Sequence, residues 1–91
     1  MGLDIGMVHE IEWTPRPGWQ FWDYLSPYAL DVDGNRLTLE NVRDALEDME
    51  RADGADTDDI ERARDFVCWC EDYWRKRDYE AEDGISIVLS Y

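Results

Sequence analysis

Glu40, Asp44 and Asp48 follow one another at four-residue intervals, and the stretch 53–59, Asp53-Gly54-Ala55-Asp56-Thr57-Asp58-Asp59, holds four carboxylates and no base. Exposed carboxylates in such a pattern can do one kind of chemistry well, the electrostatic recognition of cations. On a helix, residues four apart are neighbours, so a like-charge row costs a few tenths of a kcal/mol per pair and gives the isolated fold nothing in return. A third acidic run, Asp78-Tyr79-Glu80-Ala81-Glu82-Asp83, lies nearer the C-terminus. These clusters belong to a chain of 91 residues with 23 acidic and nine basic side chains, only one of them a lysine (Lys76), for a formal charge of −14. A field of that sign repels nucleic acid and anionic membranes and attracts a basic groove.

Other chemistries find less support. His9 is the only histidine, with no serine or cysteine in a recognisable nucleophile context beside it, so it reads as structural. Asp31-Val32-Asp33-Gly34-Asn35 offers alternating oxygens and a glycine, yet the glycine is fourth where a calcium loop needs it sixth, and Val42 stands where the twelfth-position Glu belongs. It reads as a turn, and neither metal nor cofactor is expected. Cys68 and Cys70 are two apart on a presumed helix, pointing away from each other, which favours neither a disulfide nor a chelate. Paired carboxylates matter to catalysis only when their surroundings separate their pKa values. An enzyme ranks last.

The elements that must position the acids follow from periodicity. Leu3, Ile5, Met7, Ile11 and Trp13 alternate with Asp4, Glu10 and Glu12, which predicts one half-buried strand over the first thirteen residues, and Pro15 and Pro17 with Gly18 end it. The rings Trp19, Phe21, Trp22, Tyr24 and Tyr28 surround a short helical turn at 20–25 that Pro27 would stop, followed by a strand over 28–32 and a turn at Asp33-Gly34-Asn35. Thr38 is the expected cap of a helix over 39–52 with Leu39, Val42, Leu46 and Met49 on one stripe and Asp53-Gly54 as its stop. Thr57 or Asp58 would cap a longer helix, Asp58 and Glu61 resembling a capping box. Its wide apolar face (Ile60, Ala63, Phe66, Val67, Trp69, Cys70, Tyr73, Trp74) makes it the spine of the domain. Ile85, Ile87 and Leu89 alternate in a last strand over 85–91. The expected architecture is one α+β domain spanning 1–91, a small antiparallel sheet of about three strands packed against an αα-hairpin in two layers.

Some of the acid has a plain structural use. Asp58, Asp59 and Glu61 sit at the positive end of the longer helix, Arg75, Lys76 and Arg77 at its negative end, and Glu47 pairs with Arg51 four residues on. The helix over 39–52 nets only −3, about one charge per ~7 Å against one per ~1.7 Å of duplex DNA, so it needs the neighbouring turn to imitate a nucleic acid. Trp19 and Trp22, flanked by prolines and a glycine, could add an apolar anchor, although in a small domain such rings more often close the core.

In size and in the placement of Glu40, Asp44, Glu47, Asp48, Asp53, Asp56, Asp58 and Asp59, the chain resembles the small acidic counter-defence inhibitors of phages and mobile elements, the anti-CRISPR and anti-restriction DNA mimics. The resemblance implies non-catalytic blockade of a basic protein or ribonucleoprotein that binds nucleic acid, without direct nucleic-acid binding by this chain. It carries no sequence motif. With Trp19 and Trp22, those eight acids form the expected partner-binding set. With no basic leader and no apolar run of roughly 20 residues, a soluble cytoplasmic protein is expected. The alternative is an acidic accessory or assembly module, docking through Trp19 and Trp22 or forming a homodimer through the edge of the last strand, its acidity reflecting solubility or a high-salt habitat.

Overall fold

The computed structural model describes residues 4–7, 12–31 and 34–90. Leu3, Val8, His9, Glu10, Ile11, Val32, Asp33 and Tyr91, to which the sequence assigns strand or turn positions, lie outside the described residues. The elements are β1 (Asp4–Met7), β2 (Glu12–Trp13), α1 (Trp19–Ala29), β3 (Leu30–Asp31), β4 (Gly34–Leu37), α2 (Leu39–Arg51), α3 (Thr57–Lys76) and β5 (Ile85–Ser90). The fold is α+β. The sheet has three longer strands, β1, β5 and β4, extended at each side by a two-residue strand in the order β2-β1-β5-β4-β3, and every pairing is antiparallel.

The side-chain alternation of the sheet places one layer of helices. Ile5 and Met7 of β1, Leu37 of β4, and Ile85 and Ile87 of β5 are buried in one cluster with Phe21, Leu25, Val42, Met49, Phe66, Val67 and Trp74 from the helices, while Arg36 and Ser86 between them are exposed. Phe21 of α1 meets Phe66 of α3 with ring centroids 5.7 Å apart. Trp74 is 1% exposed, and its indole N–H donates to the Asp83 carbonyl at 3.1 Å, tying the last acidic run to the core.

Two boundaries differ from the sequence reading for local reasons. The single strand expected over the first thirteen residues is an antiparallel pair, Gly6 opposite Trp13 and Met7 opposite Glu12. The reversal puts Trp13 on the face of Gly6, away from the helices and 51% exposed, although its parity with Ile5 and Met7 predicts burial. The helical turn expected at 20–25 is an eleven-residue helix that runs through Pro27. Phe21, Leu25 and Ala29 recur every four residues and are all buried, so core packing carries the chain past the missing N–H, and the proline ring sits exposed. The strand expected over 28–32 shrinks accordingly to Leu30 and Asp31.

The αα-hairpin forms as expected. Thr38 caps α2, its hydroxyl accepting from the Asn41 N–H at 3.1 Å, and Gly54, at φ +91°, turns the chain after α2. Arg43–Glu71 at 2.9 Å and Arg64–Glu50 at 2.6 Å bridge the two helices. The cap of α3 is Asp56, one residue before Thr57 and two before Asp58, the expected candidates, its carboxylate accepting from the Asp58 N–H at 3.1 Å. Cys68 is exposed and Cys70 buried, on opposite sides of α3, and burial pushes the Cys70 thiol far up. Among the described residues, no helix is long and apolar enough to cross a membrane.

Candidate partner-binding surface

α2 carries acid along its whole length of roughly 20 Å and meets another acidic segment at each end. At its start, the Glu40 N–H donates to the Ala81 carbonyl at 3.1 Å, so the 78–83 run closes over the first turn. That run is ordered by its own bonds, Asp83 accepting from the Glu80 N–H at 2.7 Å and donating its own N–H to the Glu80 carbonyl at 3.0 Å. At its other end, α2 passes into the 53–59 turn.

The sequence leaves open whether the α2 row and that turn face the same way, and α1 supplies the link. Tyr28, near its C-terminal end, donates its phenol to Asp48 at 2.8 Å. At its N-terminal end, the Gln20 side-chain oxygen accepts the Asp56 N–H at 3.3 Å. Eight residues of helix, about 12 Å, therefore separate the points at which α1 touches each patch. That span is comparable with the screening length of roughly 8–10 Å at ordinary salt, so an approaching cation experiences both patches together. Tyr28 and Gln20 carry this information, and neither was singled out from sequence because an isolated Tyr or Gln has no pattern.

The expected site residues separate by what neutralises them. Glu47 forms its ion pair with Arg51, and Asp59 lies 3.7 Å from Arg62 with its side chain 26% exposed. Both are partly spent within the fold. Glu40, Asp44, Asp48, Asp53, Asp56 and Asp58 are exposed, and among the described residues none of the six has a basic partner. Two of these have a second use, Asp48 as acceptor from Tyr28 and Asp56 as the helix cap. Trp19 is 47% exposed at the first position of α1. Trp22 is half-buried and packs against the core, the role that small-domain statistics favour for both rings.

The hydrogen bond to Asp48 raises the Tyr28 pKa above its ordinary value, with partial burial and the charges of Asp48 and Asp44 adding in the same direction. Because the folded value exceeds the unfolded one, the contribution of this bond to stability is fully present below about pH 10 and is lost as pH rises through the folded value. An absorbance titration of tyrosinate is expected to contain a late-ionising component that disappears in Tyr28→Phe. A variant that removes only an ordinary phenol would contradict the bond.

Compared with known proteins, the chain matches no family model, no characterised relative and no solved structure. The functional reading rests on the surface itself.

Proposed function

We propose that this protein is a non-catalytic binding protein that lays the α1–α2 side of its helical layer, with the 53–59 turn, into a basic nucleic-acid-binding surface of a partner complex and denies that surface to DNA or RNA. Mode of action and size are those of the small acidic counter-defence inhibitors that the charge placement resembles. The observation that carries the reading is the grouping of six carboxylates without basic partners among the described residues, Glu40, Asp44, Asp48, Asp53, Asp56 and Asp58, along one helix and the turn that leaves it. Among the described residues, seven bases are committed to ion pairs with other acids, so the field around the six unpaired carboxylates is cation-seeking.

Charge of this kind speeds encounter and selects the partner, while a few apolar contacts set the lifetime of the complex. The test is competition: a partner captured from the host, loaded with labelled oligonucleotide, should release it as this protein is added. The affinity should fall steeply between about 50 mM and about 500 mM salt. An oligonucleotide that stays bound at saturation, or an affinity indifferent to salt, rejects the reading.

The competing assembly reading loses one of its routes. A homodimer through the edge of the last strand needs β5 at the border of the sheet, and β5 is paired on both sides, with β1 and β4.

A further inference from the structure

The helices cover one face of the sheet, and the opposite face carries an exposed tryptophan. Trp13 of β2 stands opposite Gly6 of β1, pointing away from the helices and 51% exposed. Farther across the same face, Ser86 of β5 and Arg36 of β4 stand opposite each other, both exposed. Arg36 has no ion pair among the described residues. Its guanidinium lies beside Gly84, where an added Cβ would stand 3.7 Å from Nε.

Charge sets this side apart from the rest of the molecule. The acids on the described strands are Asp4, Glu12 and Asp31. Arg16 pairs with Asp4, Arg77 pairs with Glu12, and Arg36 supplies a third base, so the strands with the arginines bonded to them carry no net charge in a chain of −14. Interface centres are rich in Trp and Arg and poor in Asp, Glu and Lys. The outer face has that composition, although 23 of the 91 residues are acidic.

We propose that the outer face of the sheet docks a second copy of this chain, as a two-fold dimer in which Trp13 of each protomer meets Arg36 of the other. Two copies approaching through their helical layers bring uncompensated carboxylates together, and sheet to sheet they do not. The face is also self-complementary. Trp13 on β2 and Arg36 on β4 flank β1 and β5, so a two-fold axis passing over the β1–β5 junction exchanges them. A guanidinium without an ion-pair partner then stacks on an indole at both ends of the interface. Five strands at about 4.8 Å spacing make a face about 24 Å wide. That is small for an interface, so the dimer is weak and reversible. Both acidic surfaces stay outward, and the dimer does not depend on what they bind.

Sedimentation equilibrium of the whole protein from about 10 μM to about 1 mM should show a reversible dimer. Association should tighten as salt rises from about 50 mM to about 500 mM, because screening removes the repulsion between two chains of charge −14. Binding through the acidic surface has the opposite salt dependence. Trp13→Lys and Arg36→Glu should each leave a monomer, whereas Arg62→Glu, the same change of charge on the helical side, should retain the dimer. Circular dichroism checks the fold of each variant, and if Trp13→Lys loses it, Arg36→Glu, an exposed position outside the core, decides. A monomer at the highest concentration and salt, a dimer that survives either sheet-face substitution in a folded variant, or equal losses in Arg36→Glu and Arg62→Glu overturns the proposal and leaves the acidic-surface reading standing.

Discussion

Replacing Trp74 by alanine is expected to remove a large share of the stability of this domain, about 3–5 kcal/mol. The side chain is 1% exposed and lies in the central cluster with Phe21, Phe66 and Met49, the setting in which truncation of a Trp carries that cost. A domain of this size has only about 5–14 kcal/mol in hand. The loss reaches beyond the cavity, because the indole N–H also holds the Asp83 carbonyl, and the Tyr79 N–H bonds back to the Trp74 carbonyl at 3.0 Å. Trp74→Phe keeps most of the volume and gives up only that bond and part of the area, so it should remain folded at a cost of about 1–2 kcal/mol. Urea unfolding followed by circular dichroism separates the two, and an alanine variant with the parent's midpoint would remove Trp74 from the core.

The second large effect concerns binding. Reversing Asp44 and Asp53 together to lysine should weaken the captured complex by on the order of a hundredfold or more at low salt, since like charges brought together across an interface cost several kcal/mol. These two are the cleanest choices among the expected residues. Asp56 caps α3 and Asp59 faces Arg62, so changing either disturbs the fold as well as the surface, and Asp58 and Glu40 sit in first turns where the helix dipole favours an acid. Asp72→Lys is the control for Asp44→Lys and Asp53→Lys taken singly, because it makes the same change of charge as either at a carboxylate already paired with Arg75. Equal losses at the two places would mean that net charge alone drives association and that the α2 row is no site.

The helical hairpin was legible in the sequence because its signals are local: Thr38 three residues before Asn41, a stripe at helical spacing, and a glycine where α2 must end. The strands near the N-terminus were not. Period-two alternation cannot register a chain reversal, so Trp13 kept its parity with Met7 on paper and lost it in the β1–β2 pair. Pro27 misled in the opposite way, a strong local stop overridden by the buried Phe21–Leu25–Ala29 stripe. At the surface, the residue types were legible and their grouping was not. Proximity of the α2 row to the 53–59 turn depends on α1, an element that sequence reduced to one turn, and on the contacts of Tyr28 and Gln20.

Among all the strands, β5 has the most distant partner. Its pairing with β1 sets Asp4 opposite Ser90 and Met7 opposite Ile87, while its other side receives β4. The β1–β2 and β3–β4 pairs and the α2–α3 hairpin each join neighbours in the chain and can form early, but without β5 the sheet is two separate two-stranded pieces, each marginal alone. The slow step of folding is therefore expected to be insertion of β5 between them, a closure across nearly the entire chain that local contacts cannot reward until it is complete. Until that moment Ile5, Met7 and Leu37 lack the β5 residues that stand opposite them, and the species at risk of aggregation is one whose helices are already in place.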